Sequence, residues 1–399
     1  MITLIKNEVI KLIHRKKTLV TLIAFIALIV LIGFGLYTQS KQVERYNNPK
    51  VQREQLQANI SDLNQRIKVV GISDSDKKMY EDNIASLQVQ LDSLTNDPGV
   101  TNSDWKANLN TEIQSLEQNL NDTNMDVNQK GQINKQLQTD KYLLANNIKP
   151  IDESKFNSVN YIKLIFQLLG AVFLAVGLAI FSSDMVAGEY TPATAKFLLA
   201  QPVSRAKVLL SKYITAVISS ILLICFVEII AFVVVGLLSG FGNMNYPVVV
   251  GERFRYDLSH INQAGGHDII AIANTAFIIP MYKFLLEAVL LQILFIIACV
   301  SFVFMLSTVV KSSMVAMSIS IVTIIAVSIL QNISNSTKIV TSYFFIIYGS
   351  VDAALAGDYA SRLGVPYPTL SFIIIVLIAW TIISYLIAHY VFIKRDILI

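Results

Sequence analysis

Cysteine and histidine are scarce in this chain, with two and four copies in 399 residues. Cys225 and Cys299 fall in separate apolar runs, a pattern that gives neither a CxxC metal pair nor a disulfide framework. The histidines, at positions 14, 260, 267 and 389, are scattered. His260 and His267 share a polar stretch with Asp257 and Asp268, but their spacing matches no zinc motif. No GxxxxGK[ST] phosphate loop occurs, which excludes ATP binding of the P-loop kind by this chain. Leu238-Ser239-Gly240 is a lone tripeptide at the end of an apolar run and carries no nucleotide chemistry. No spacing selects a Ser/His/Asp set. The sequence has no internal repeat and no filter-like segment of the kind that marks a channel or an ion-driven carrier. The chain reads as having no catalytic, cofactor-binding or metal-binding residue of its own, and hence as not an enzyme.

Apolar sequence fills the space left by these absences. Hydrophobic residues make up 54% and the mean hydropathy is +0.55, too high for a soluble protein of this length. A run of about 18 or more apolar residues can cross a hydrocarbon core of about 30 Å. Six such spans are expected, over 18–38, 161–182, 213–238, 284–310, 314–331 and 369–393. The first is too long for a signal-peptide core and is followed by no small-residue cleavage site, so it reads as a retained span.

Basic residues collect at alternate ends of these runs. Lys6, Lys11, Arg15, Lys16 and Lys17 precede the first, and Lys196, Arg205, Lys207 and Lys212 follow the second. Lys311 lies between the fourth and fifth, and Lys394-Arg395 follow the sixth, opening the tail 394–399. Threading six spans in order puts all of them on one side, so both termini are expected in the cytoplasm. Topology alone explains these basic residues, and nucleic acid is not an expected partner.

Three segments then fall outside. The largest, 39–160, is mildly acidic, rich in Asn and Gln, and free of cysteine. Leu56, Ile60, Leu63, Ile67 and Val70 repeat in steps of four and three, as do Tyr80, Ile84, Leu87, Leu91 and Leu94. Trp105, Leu109, Ile113, Leu116 and Leu120 continue the pattern, and Ile133, Leu137, Leu144 and Ile148 follow it more loosely. Breaks are expected at 71–75, at Asp97-Pro98-Gly99 and at 121–124. The segment reads as three or four amphipathic helices folded back as a coiled-coil-like extracytoplasmic domain. The second outer segment, 239–283, holds the apolar stretch 268–282, too short to span and expected as a short interfacial or re-entrant helix ending at Pro280. The third, 332–368, holds another short apolar run and is a candidate re-entrant loop.

Residues 1–17 read as a cytoplasmic amphipathic helix along the inner membrane surface. Ile2, Ile5, Val9, Leu12 and Ile13 take one face, and Lys6, Asn7, Lys11, His14 and Arg15 the other.

The loop 183–212 is the most distinctive part of the chain. Thr191-Pro192 reads as a helix start, Pro202 as a stop, and Ser204 as the cap of a second helix that runs into the third span. Two short helices bent at a proline present a firm knob. Glu189, Thr194, Lys196, Leu198-Leu199, Pro202-Val203-Ser204-Arg205 and Lys212 stand in the order seen in the first cytoplasmic loop of ABC-2 type transporter permeases. This loop resembles that family, with Ala193 where its members carry glycine. The resemblance implies a membrane subunit of an ABC exporter in the plasma membrane of a bacterium. It implies a separately encoded ABC ATPase that binds ATP and magnesium, and a second permease copy or related chain. It also implies coupling contacts at Glu189, Thr194, Lys196, Pro202, Ser204 and Arg205, with further contacts from Glu8, Lys11 and Arg15 on the N-terminal helix.

Charges inside a span are costly and often functional. Glu228 sits in the middle of the third span and is a candidate pathway contact, with Gln292 in the fourth as a weaker one. Lys163 and Glu287 lie near span ends, where snorkelling accounts for them. The function expected is a permease subunit of an ABC-2 type exporter, its substrate unnamed by the sequence. The alternative is an ABC-coupled mechanical or signalling protein acting on an extracytoplasmic partner, which the large insert favours and the six-span count disfavours.

Overall fold

The computed structural model describes residues 1–68, 73–96, 105–120, 125, 127–151, 154–190, 203–259 and 267–394. Helix α1 (Ile2–Ile13) is followed, after a two-residue bend, by α2 (Lys16–Tyr46). The Thr18 hydroxyl donates to the Leu12 carbonyl at 2.6 Å and holds that bend. Four helices come next: α3 (Pro49–Ile67), α4 (Asp74–Asn96), α5 (Trp105–Leu120) and α6 (Val127–Ala145). The chain re-enters the bundle as α7 (Ser158–Leu168), a π-helical turn (Leu169–Phe173) and α8 (Leu174–Ser182), which abut without a break.

A 3₁₀ turn (Ala187–Tyr190) precedes α9 (Arg205–Ser239). Strands β1 (Pro247–Val250), β2 (Phe254–Tyr256), β3 (Ile269–Ala271) and β4 (Phe277–Pro280) lead to α10 (Met281–Val309) and α11 (Ser313–Leu330). Three short helices, α12 (Asn335–Thr341), α13 (Val351–Ala356) and α14 (Asp358–Leu363), flank a second 3₁₀ turn (Phe345–Gly349), and α15 (Leu370–Lys394) completes the bundle.

Five of these helices, α2, α9, α10, α11 and α15, are long and apolar enough to cross a membrane. At 1.5 Å per residue, the 31 residues of α2 extend for about 46 Å, so it projects beyond a 30 Å core. Helix α10 is the axis of the bundle: Phe295, Ile296, Ala298, Val300 and Phe304 are fully buried. Its most extensive contact is with α15. Trp380 of α15 packs against Phe302, Phe344 and Phe345, and its indole N–H donates to the Tyr343 carbonyl at 2.8 Å.

The 161–182 run is helical throughout, with a π turn near its centre. Gly170 in that turn meets Gly349 of the second 3₁₀ turn backbone to backbone. A Cβ on Gly170 would lie 1.9 Å from the Gly349 carbonyl oxygen, and one on Gly349 would lie 1.7 Å from that of Gly170. Only glycine fits at either position. The Ser350 hydroxyl donates to the Gln167 carbonyl at 3.1 Å, supplying a partner beside the altered helical ladder.

The stretch 268–282 is not a helix. Ile269–Ala271 and Phe277–Pro280 are strands, paired antiparallel with Phe254–Tyr256 and Pro247–Val250 respectively. Isoleucine and phenylalanine pairs favour extended backbone, and Asn274, at φ 59°, turns the chain between them. The helical reading took apolar character alone and overlooked that turn.

Within the polar insert, α3 packs on α4 and α5 on α6. Ser73 receives the Asp76 amide at 3.1 Å and so caps α4, while the expected breaks at Asp97-Pro98-Gly99 and 121–124 lie outside the described residues. Helix α3 buries no residue, whereas α5 and α6 form a small separate core of Leu109, Ile113, Leu137, Leu143 and Ile148. That core is fixed to the bundle: α6 packs on β1 and β3, and Lys135 pairs with Glu252.

Asp140 of α6 is only 2% exposed. Burial, reinforced by the Glu112 carboxylate and opposed by hydrogen bonds from Gln136, pushes its carboxyl up to about 6. The folded hairpin therefore holds this proton more tightly than the unfolded chain does. The resulting stability is present below about pH 4 and is lost as pH rises through 6. Amides of α5 and α6 should be better protected from hydrogen exchange at pH 5 than at pH 7.5 after correction for intrinsic rates. Asp140→Asn should flatten that difference; a slope that survives the substitution would assign it to another group.

Candidate functional site

The bundle end that carries α1 holds a buried network of ion pairs. Glu8 lies on the same helical face as Ile5 and Leu12, three residues from one and four from the other, so the packing that buries Leu12 buries Glu8 too. Across from it, Lys212 on the second turn of α9 is 1% exposed. Its ammonium donates to both Glu8 oxygens, at 2.9 and 3.0 Å, and to Glu189 Oε1 at 2.7 Å. Lys11, about half exposed, stands 3.5 Å from Glu189 and 3.7 Å from Glu8. Two carboxylates and two ammonium groups thus balance.

A second cluster adjoins the first. Asp184 is paired with Arg15 at 3.3 Å and with Lys17 at 3.5 Å, and Lys17 also donates to the Ser183 hydroxyl at 3.0 Å. From α10, the Ser307 hydroxyl accepts the amides of Val186 and Ala187 at 3.1 and 3.0 Å. The 183–190 turn is therefore held by α1, by the start of α2, by α9 and by α10. A buried ammonium is tolerated only when paired and hydrogen-bonded, and Lys212 spends three donor contacts on two carboxylates.

The residues picked out as coupling contacts divide. Glu189 points inward and is bound by Lys212 and Lys11, so its carboxylate is committed within the chain. Glu8 is likewise internal, bound by Lys212, where the resemblance implied an outward contact. Arg205 opens α9 and donates to the Ile393 carbonyl at 3.3 Å, joining α9 to the end of α15. Ser204 occupies the N-cap position and its carbonyl accepts from Lys207 and Val208, but its side chain makes no capping bond. Thr194, Lys196 and Pro202 lie outside the described residues.

Glu228 and Gln292, chosen separately from two different runs, meet. The Gln292 amide donates to Glu228 Oε1 at 2.6 Å, and both side chains are buried between α9 and α10. Among the described residues, Gln292 Oε1 has no hydrogen-bond partner, nor do the buried hydroxyls of Thr215 and Ser220 on α9 and Ser384 on α15. Buried polar atoms without partners are uncommon in folded proteins.

Sequence reasoning missed Lys212 as a site residue, along with Asp184 and Ser307. Lys212 had been placed with the basic residues at the span end and last in the family-like order of loop residues, with no contact assigned to it. The available signal was Glu8 on the apolar face of α1, since a buried carboxylate demands a buried cation.

Five apolar spanning helices and a charge node at one end define a multi-pass helical membrane protein. A model of the ABC-2 family transporter protein family matches residues 2–397. The chain belongs to that family, whose members form the membrane component of ABC transporters and generally work with an ABC ATPase. No curated protein matches it closely enough to stand as a relative.

Lys212→Met would strand two buried carboxylates, and removing one partner of a buried pair typically costs about 3–5 kcal/mol. Thermal unfolding in mild detergent should fall sharply for Lys212→Met and recover in Lys212→Met/Glu8→Gln/Glu189→Gln, where no charge is stranded. A single variant as stable as the wild type would contradict the network.

Proposed function

We propose that this chain is the permease subunit of an ABC-2 type exporter. In this reading it crosses the plasma membrane six times, with 161–182 as the second span and both termini cytoplasmic. A separate ABC ATPase, which binds ATP and magnesium, docks against 191–205 and the exposed side of α1. A second copy or a related permease completes the pathway. The observation that carries the reading is the Glu8–Lys212–Glu189 node. It joins α1, the 183–190 turn and the foot of α9, so a push on either flank of 191–202 displaces all three together. Glu189 then acts as an internal strut and Arg205 as the outer contact.

Because α9 carries Glu228 toward Gln292 on α10, tilting α9 shears that pair. That pair is the polar group offered to a polar part of the substrate. Alternating access follows from discrete repacking of α9 and α15 on α10, driven by hydrolysis in the partner chain.

Affinity capture of the tagged full chain in mild detergent tests the proposal. An ATPase should co-purify with the wild type, and Arg205→Glu should reduce its recovery about tenfold or more, by reversing a contact charge at an interface. Glu228→Gln should capture the ATPase normally and change the hydrolysis rate of the complex. No ATPase with either wild type or variant would overturn the reading. A rate that responds to deletion of 43–149 but not to Glu228→Gln would favour mechanical transmission to an extracytoplasmic partner.

A further inference from the structure

The ion pairs of the charge node and its neighbour join α1, α2, the 183–190 turn and α9, and among the described residues none of them reaches α10. Two uncharged contacts do. On one flank of 191–202, Ser307 Oγ accepts the amides of Val186 and Ala187. On the other flank, Tyr213, the residue after Lys212, is bonded through its hydroxyl to Ser301 Oγ at 2.8 Å. Both serines are fully buried, and they stand about 9 Å apart along the axis of α10 at 1.5 Å per residue.

Each contact has a definite direction. Ser301 has one hydroxyl hydrogen and gives it to the Ile297 carbonyl at 2.6 Å, so Tyr213 is the donor in the pair. The Tyr213 ring is also held on two sides, with its centroid 5.5 Å from that of Phe304 on α10 and 4.8 Å from that of Tyr385 on α15. At Ser307 one oxygen takes two successive amides at the start of the 3₁₀ turn that bears Glu189. Met185, Gly188 and Glu189 give their amides to the carbonyls of Ser182, Asp184 and Val186, whereas Val186 and Ala187 turn theirs to α10. Both residues are buried, where an amide without a partner is costly.

The two kinds of contact do different work. Attraction between ions falls slowly with distance, so an ion pair defines a neighbour more than a position. A hydrogen bond weakens steeply with length and angle, so it defines a register. The charge node fixes α1, the turn and the foot of α9 to one another, and the two hydroxyl contacts fix that assembly in register on α10.

We propose that Ser307 and the Tyr213–Ser301 pair are positioning contacts for the loop 183–212: they seat its two flanks on α10, so that a force on the loop reaches the helix that carries Gln292. The source of that force rests on the permease reading above. The seating itself belongs to this chain and is measurable without a partner.

The test uses the full chain in mild detergent and has two arms. In the first, amide hydrogen exchange is followed residue by residue in the absence of any partner. Ser307→Ala should speed exchange at Val186 and Ala187 about tenfold or more, as expected for one lost hydrogen bond at each amide, while the amides of α5 and α6 keep wild-type rates. Ser307→Thr, which keeps the hydroxyl, should restore protection. Unchanged protection in Ser307→Ala would overturn the proposal. Should that variant fail to purify, Ser307→Cys, a near-isostere with a weak acceptor, takes its place. In the second arm the ATPase is captured as above. Ser307→Ala and Tyr213→Phe should each recover it at the wild-type level, unlike Arg205→Glu, and each should change the hydrolysis rate about fivefold or more. The double variant should change that rate by much less than the product of the single effects, because both substitutions unseat one loop from one helix. Wild-type rates in both single variants would overturn the proposal, as would single effects that simply multiply. Loss of ATPase recovery in these variants would also overturn it, by making the residues docking contacts. No ATPase with the wild type would overturn the permease reading, and the exchange arm then decides the seating alone.

Discussion

Lys212 is the constraint on which the architecture of one whole end depends. An ammonium at 1% exposure is unstable without anions. The two it finds come from segments far apart in sequence, Glu8 in the first helix and Glu189 in the turn after the second apolar run. This requirement fixes where α1 lies. Amphipathicity alone would let α1 rotate or slide along a membrane surface, since Ile2 and Ile13 remain exposed. The Glu8 carboxylate removes that freedom by tying one face to α9. Such an arrangement contributes specificity more than stability, because the desolvation of three charges offsets most of their attraction.

The two charge clusters differ in consequence. Asp184, Arg15 and Lys17 are partly exposed, and pairs of that kind contribute at most about 1 kcal/mol each. Their role is to hold the α1–α2 bend against the 183–190 turn. The Glu8–Lys212–Glu189 node is buried, and a change there moves three elements or breaks all three contacts. Close packing around such a point admits discrete rearrangements and resists continuous ones.

Legibility in the sequence followed the length of each signal. Long apolar runs placed the spanning helices, and heptad-like spacing placed α3 to α6, because both signals repeat over many residues. Ile269–Ala271 and Phe277–Pro280 were misread as a helix because strands of three and four residues leave no period to measure, and Asn274 was the only interruption. Charged residues were legible as groups at the span ends but not by direction. Glu8 and Glu189 were read as outward contacts when both point in, since the sequence displays a charge without its partner. Glu228 and Gln292 were legible as inward-facing for the opposite reason. A polar residue in the middle of an apolar helix has nowhere to go but the interior, and two such residues on neighbouring helices tend to meet.

The path from Ser158 to Ser182 joins these parts. Its first segment carries Lys163 and its last runs directly into Ser183, Asp184 and the turn that holds Glu189, so one continuous helix touches both ends of the bundle. An unbroken α-helix would transmit displacement between them as a rod. The π turn at Leu169–Phe173 interrupts it near the midpoint, where Gly170 and Gly349 press backbone against backbone. A π turn marks a place where a helix has two available hydrogen-bond registers, and the Ser350 hydroxyl supplies the partner that one of them needs. The Lys163 end stays anchored by the contacts of α7 with α2, α9 and α13. The two ends of the molecule are therefore connected by covalent continuity across a joint whose helical geometry differs from that of its flanks.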